Sequence, residues 1–513
     1  MIDLAPYRTP LFGDAYRRLL AHAVSDQPTT YAPAEPPAVR ERIVRCIWFD
    51  QTLATDQLRT DNGLKLRILS PGWWNLEAGP DFRNAAIRIG PGPVLKGDVE
   101  VHLRSSLWTT HGHHTDPAYN GVILHASLWN DAPARPTRTA AGATVPNVTL
   151  EPYLRTPLTQ LLDQVDPAEY PEASDASTGR CHDLLDRGAV TLEWLQEFLD
   201  HAGDQRMADK ARRLAAREGT DDDQLLYEAI AEALGYKRNK APALELARRL
   251  PLTLLRTQIA QRPDDTPRPI AIEALLFGTA GLLPPLRTDA AYDAAAHDHG
   301  QTLKKLWNTL GADLHNSALP RSQWSFDGTR PPNFPTRRVA ALAALLATHL
   351  DPGPIDAARQ AIGHADIPLT PRECTRRRAA ILEIFTSLHH PFWDTRTHFA
   401  GKPLARPTRL IGTDRAHTIA INAIFPILLY SARRQGDRPL EERLHRLYAT
   451  YPKLPSTSIT RFMAQRLFGR HEKEMKMLRS ARRQQGLHQL YTDFCDSDQA
   501  TCARCPLVRL LEV

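Results

Sequence analysis

In the run "GDVEVHLRS", Asp98, Glu100, His102 and Arg104 fall on one side of an extended backbone, and Val99, Val101 and Leu103 on the other. The apolar side belongs in a core. The ionisable side needs either solvent or a chemical task. Upstream, Pro80-Asp81 supplies a second carboxylate that a returning strand would bring alongside. Trp73, Trp74, Phe82 and Trp108 surround these groups with aromatic bulk. Downstream, "HGHHTDPAYNGVILH" adds His111, His113, His114 and His125, with Asp116 among them. Imidazole suits zinc or manganese, so His102, His113, His114, His125 and Asp116 form one candidate metal set. Their spacing matches no His-Glu-x-x-His motif. "HGHH" also reads as a solvated turn, and His125 as a hydrogen-bonded core histidine. The acidic residues therefore come first.

A helix, a strand, a strand led by Pro-Asp, a strand with Glu-x-(basic residue), then a connection and a further strand resembles the PD-(D/E)XK nuclease superfamily. Pro80-Asp81 and Glu100-Val101-His102 stand at the motif positions. The resemblance implies phosphodiester hydrolysis. Asp81 and Glu100 would hold Mg²⁺ or Mn²⁺ through oxygen, with Glu77 or Glu41 as an added carboxylate. His102 would stand where that superfamily usually has lysine, as a base or charge stabiliser. An ordinary histidine pKa of about 6.5 leaves its charge at neutral pH open.

Six cysteines are few for 513 residues, so a disulfide framework is not expected. Three of them, Cys495, Cys502 and Cys505, crowd into "FCDSDQATCARCPL". A closed zinc site or an iron–sulfur cluster wants four ligands. Cys181, Cys374, Cys46, His182 and His488 are the candidates for the fourth. Zinc would make a structural clasp. An iron–sulfur cluster would resemble those of some exonucleases of the superfamily named above.

The elements that must position these groups divide the chain. Residues 1–34 read as an irregular arm. Residues 35–150 read as a helix of about Ala38–Leu53 followed by β structure, the nuclease-like part. Residues 151–190 read as a linker, 191–490 as a helical region of about ten helices, and 491–513 as the cysteine-rich clasp. The fold class is α+β. "EKEMKMLRSARRQQGLHQLY" reads as one amphipathic helix over Glu472–Tyr491.

A 42% hydrophobic, 24% charged chain is ordinary for a globular protein. It has no apolar run of membrane length and no signal-peptide pattern, so a cytoplasmic, non-membrane protein is expected. It also has no Walker loop or dinucleotide fingerprint. Net charge is +6, carried largely by arginine, which pairs well with phosphate. Arg104, Arg330, Arg337, Arg338, Arg479, Arg482 and Arg483 are the candidate nucleic-acid contacts. DNA and RNA are not separable at this level. A protein partner and the oligomeric state stay open.

"SPGWWNLEAGPDFRNAAIRIG", "ALLFGTAGLL", "RPPNFPTRR" and "CARCPLV" resemble a bacterial family, domain of unknown function 2851, over most of residues 40–510. Its pattern has a cysteine before the first long helical segment, which implies Cys181 as the fourth ligand. The first expectation is thus a metal-dependent nuclease on DNA or RNA. The alternatives are a non-catalytic nucleic-acid- or partner-binding protein, and a zinc or manganese hydrolase using the histidines.

Overall fold

The computed structural model describes residues 4, 11–25, 39–75, 79–165, 167, 170, 178–215, 221–236, 238–285, 292–326, 329–364, 366–469, 475–495, 505 and 507–508. The period-two patterns become one six-stranded sheet. Its strands are β1 (Leu66–Ser70), β2 (Trp73–Trp74), β3 (Phe82–Ile89), β4 (Val94–Arg104), β5 (Val122–Trp129) and β6 (Asn147–Thr149). The order is β1-β3-β4-β5-β6, with β2 beside β3. β3 pairs antiparallel with β1 and β4, while β5 pairs parallel with β4 and β6. A parallel neighbour demands a crossover. Here the crossover contains a short helix at Leu107–Thr110 and a 3₁₀ turn at Pro117–Tyr119.

Val99, Val101, Leu124, Ala126 and Leu128 face the sheet's core, against Ile43, Val44, Ile47 and Trp48 of the helix Glu41–Asp50. Each fully buried valine, leucine or isoleucine among them contributes on the order of 2 kcal/mol. A Cβ at Gly97 would lie 2.4 Å from Cγ2 of Ile123, so glycine is what lets β4 approach β5 there.

The rest of the described chain is mainly helical and packs around two further apolar clusters. Several boundaries differ from expectation. The segment read as an arm contains a helix, Ala15–Ser25, whose Tyr16 and Leu19 are buried in the smaller of these clusters. The segment read as a linker is folded: Leu161 and Tyr170 join the sheet core, and Cys181 and Leu184 the smaller helical cluster. The single helix expected over Glu472–Tyr491 is interrupted: Met475 is helical, residues 476–480 are not, and a helix runs from Ala481 to Leu490, capped where the Ser480 side chain accepts the Arg483 N–H. It crosses the helix Leu192–Ala215 closely, and a Cβ at Gly486 would lie 2.3 Å from the Leu199 carbonyl oxygen. No helix among the described residues is long and apolar enough to cross a membrane.

Candidate metal centre

The outward face of β4 is not solvated at its C-terminal half. The crossover lies over it, so Glu100 is 4% exposed and His102 wholly buried. Three ligand-type atoms converge there. Nε2 of His102 lies 3.4 Å from Oε1 of Glu100, Nε2 of His113 lies 3.2 Å from the same oxygen, and the two Nε2 atoms are 3.2 Å apart. Ligands bonded tetrahedrally at about 2.0–2.1 Å sit roughly 3.3 Å from one another. His111, at the exposed rim, brings a ring nitrogen within 4.8 Å of those of His102 and His113.

A hydrogen-bond chain sets the proton positions. His125, on β5, donates its Nδ1–H to Oδ1 of Asn147 on β6, at 3.2 Å. Its Nε2 then accepts Nδ1–H of His102 at 2.9 Å. That leaves a lone pair on His102 Nε2, facing the Glu100 carboxylate and His113. Burial pushes His125 down to about 4. Burial, with the imidazoles of His125, His113 and His111 beside it, holds His102 well below its usual value. Burial lowers His113 too, against the pull of Asp81 and Asp116. The close contacts to Glu100 are therefore not ion pairs. His102 Nε2 and Glu100 Oε1 are acceptors facing one point, and His113 Nε2 meets both there; a metal ion would take the place of any proton His113 carries on that nitrogen.

Packing fixes the rings. His113 stacks on Tyr119 with centroids 3.8 Å apart, and Trp108 lies edge-on to it at 5.5 Å. Trp108 is itself anchored by its indole N–H on the Arg138 carbonyl, 2.9 Å away. Burial and the nearby carboxylates of Glu100 and Asp81 raise the Tyr119 phenol above its ordinary range, so it stays protonated.

Asp81 takes a different part from the one expected. Its Oδ2 accepts the Val101 N–H at 3.0 Å, and its Oδ1 lies 3.1 Å from Nε of Arg45. Its own N–H donates to Glu100 Oε2 at 3.0 Å. With Oδ1 against the Arg45 guanidinium and Oδ2 on the Val101 N–H, both Asp81 oxygens are engaged and are not presented to an ion beside Glu100. Asp81 instead ties β3 to β4 and holds Glu100. His114 is exposed, and Asp116 caps the 3₁₀ turn by accepting the Ala118 N–H. Neither is brought to the cluster. Glu77 lies outside the described residues. Arg45, Asn147 and Tyr119 were missed in the sequence. His111 was seen but not placed in the ligand set, although its separation from His113 by Gly112 was a usable signal.

The candidate phosphate-binding arginines divide. Arg337 is 1% exposed and donates to the carbonyls of Trp393, Arg396, Thr408 and Arg409. Arg338 donates to those of Leu410 and Pro332. Arg482 is paired with Asp204, and Arg483 with Asp200 at 3.0 Å. These four brace the helices, so their donors are not turned to a ligand. Arg330 and Arg479 are exposed, as is Arg104, which lies over the Trp129 ring. Cys181, Cys495 and Cys505 all pack against the smaller helical cluster, and Cys502 lies outside the described residues. Arg466 O accepts from the Cys181 thiol at 3.6 Å.

A second cluster of ligand types lies among the helices. Glu273 meets Nε2 of His299 at 2.9 Å and of His390 at 3.0 Å. Here Nδ1 of His390 accepts two backbone N–H groups, from Phe392 and Trp393, so its proton sits on Nε2 and points at the carboxylate.

No curated protein and no solved structure matches the chain significantly. Residues 41–454 match the family model described as "Protein of unknown function (DUF2851)", a span that takes in the whole sheet and the histidine cluster. The chain belongs to that family.

Proposed function

We propose that this chain is a metal-dependent phosphodiester hydrolase whose ion is held by Glu100, His102 and His113, with His111 as a further donor at the rim. The observation that carries the reading is the mutual spacing of Glu100 Oε1, His102 Nε2 and His113 Nε2, at 3.2–3.4 Å with no proton assigned between His102 and the carboxylate. A nitrogen-rich set favours Zn²⁺ or Mn²⁺ over Mg²⁺. When bound, such an ion supplies Lewis acidity and lowers the pKa of a bound water.

The chain's own groups do the rest. Asn147 and His125 hold the His102 ring and its tautomer. Asp81 fixes the Glu100 carboxylate. Arg45 brings positive charge to the same corner, where a phosphoryl group would develop negative charge. Tyr119, kept protonated, offers a hydroxyl donor. The phosphodiester part of the reading is supported by strand order. A helix, an antiparallel β1-β3-β4 meander and a crossover to a parallel β5, with the acidic residues at the start of β3 and on β4, follow the pattern the nuclease resemblance implies.

The test is cleavage of end-labelled single-stranded and duplex DNA and RNA by metal-stripped protein given back Zn²⁺, Mn²⁺ or Mg²⁺. The proposal expects cleavage with Mn²⁺ or Zn²⁺, abolished in Glu100→Gln and His113→Ala. Cleavage that survives both substitutions, or none with any ion, would reject it.

A further inference from the structure

The sheet face that carries Glu100 and His102 continues beyond the crossover, where Lys65, Arg67, Val94 and Lys96 are exposed. On β4 the outward residues run Val94, Lys96, Asp98, Glu100, His102. Lys96 stands directly beside Ala86 of β3, while Arg88 of β3 stands beside both Val94 of β4 and Arg67 of β1. Lys65 and Arg67 alternate with the buried Leu66 and so share this face. Lys65, Arg67 and Lys96 are exposed, and Arg88 is half-buried. None of the four has an acidic partner among the described residues. Arg83, nearer the site, does, meeting Asp98 at 2.9 Å. Two arginines directly opposite each other on neighbouring strands repel. An anion laid across them would turn that repulsion into attraction.

The face also carries aromatic surface. Trp74 is buried, opposite Phe82, but its neighbour Trp73 is 74% exposed, opposite Arg83 and on the outward side. Leu69, at the β1 bulge, is 58% exposed. A basic sheet face with a bare indole suits a polyanion whose bases are unstacked.

We propose that this face is a binding track for single-stranded nucleic acid. Lys65, Arg67, Arg88 and Lys96 contact phosphates, Trp73 stacks on a base, and the strand runs along β4 toward Glu100. The track rests on the hydrolase reading for its direction and purpose, but its binding is separable from catalysis. A duplex keeps its bases stacked, so it would meet the cations without using Trp73.

The test uses the full chain in EDTA, with fluorescence anisotropy of a labelled oligothymidylate of about 16 nucleotides between about 50 and 200 mM salt. Four phosphate contacts on a single strand give a log–log salt slope near −3. Arg67→Glu/Arg88→Glu/Lys96→Glu should bring it to about −1 and weaken binding at least tenfold. Trp73→Ala should weaken oligothymidylate roughly tenfold and leave a hairpin duplex unchanged. Thermal melting checks that each variant is folded, and Arg67→Gln/Lys96→Gln serves if the reversal is not. The proposal is overturned if wild type does not bind, or if the folded variants bind as it does. It is also overturned if heparin or phosphatidylserine vesicles bind as tightly while Trp73→Ala changes nothing. A chain that binds but never cuts rejects the hydrolase reading alone. One that cuts while the track variants bind normally rejects the track alone.

Discussion

Among the described residues, two buried clusters join one glutamate with histidines, and they are built in opposite senses. On the sheet, Asn147 orients His125, which orients His102, and the last nitrogen in the chain offers a lone pair to a space shared with Glu100 and His113. Among the helices, backbone N–H groups fix His390 from behind, so its Nε2–H donates to Glu273. His299 meets the same carboxylate, and the Trp393 indole donates to it at 2.6 Å. The first cluster brings two acceptors, His102 Nε2 and Glu100 Oε1, against His113 Nε2, an arrangement a cation can fill. The second converges donors on an anion and is complete as it stands. Residue types and distances are nearly the same in both. What separates them is the group behind each imidazole, which decides where the proton sits.

That contrast can be broken most sharply by metal affinity. Replacing His102 or His113 with alanine is expected to weaken Zn²⁺ or Mn²⁺ binding at least a hundredfold by calorimetric titration, with His390→Ala leaving it unchanged. Equal loss in His390→Ala would erase the distinction. Glu273→Ala is next in size. It strands the His390 and Trp393 donors in a core, at a cost of about 3 kcal/mol in denaturant unfolding. The metal content should not change.

The strand carrying Glu100 and His102 was legible because Val99, Val101 and Leu103 gave it an apolar side. That its other side is buried was not, since this depends on a crossover folding back over it. The partner of Asp81 was hidden for a similar reason. Arg45 sits in a helix some 36 residues earlier, at a spacing that carries no signal. Arg337 and Arg338 were misread because sequence shows charge but not direction. Apart from the local contact of Arg338 with the Pro332 carbonyl, their backbone acceptors are carbonyls of residues 393–410, fixed only by the tertiary fold. Conversely, Lys65 and Arg67 lie far in sequence from Arg88 and Lys96, and only strand register makes the two pairs neighbours.

Two smaller effects would sharpen the comparison. Asn147→Leu removes the acceptor that starts the proton chain, so metal affinity should fall about tenfold to a hundredfold with the ligands intact. An unchanged affinity would mean the chain does not position His102. Acid should also act on the clusters in separate windows. His125 is lowered by burial to about 4, so its contribution to metal-free stability is present above its ordinary 6.5 and is lost as pH falls from there through 4. For Glu273, burial raises the pKa but hydrogen bonds from His299 and His390 outweigh it and bring it to about 2. Its contribution is present above the ordinary 4.5 and is lost as pH falls through 2. Urea unfolding of metal-free protein across these ranges, in wild type and Glu273→Gln, should remove only the second decline.

The most direct test is elemental analysis of the full chain, wild type beside His102→Ala/His113→Ala and beside Glu273→Gln, after equilibration with Zn²⁺ or Mn²⁺ and gel filtration. Counting the difference between variants leaves aside any ion held by the cysteines. The account predicts one ion per chain fewer in the double variant than in wild type, and no change in Glu273→Gln. Identical metal content in all three proteins would contradict it.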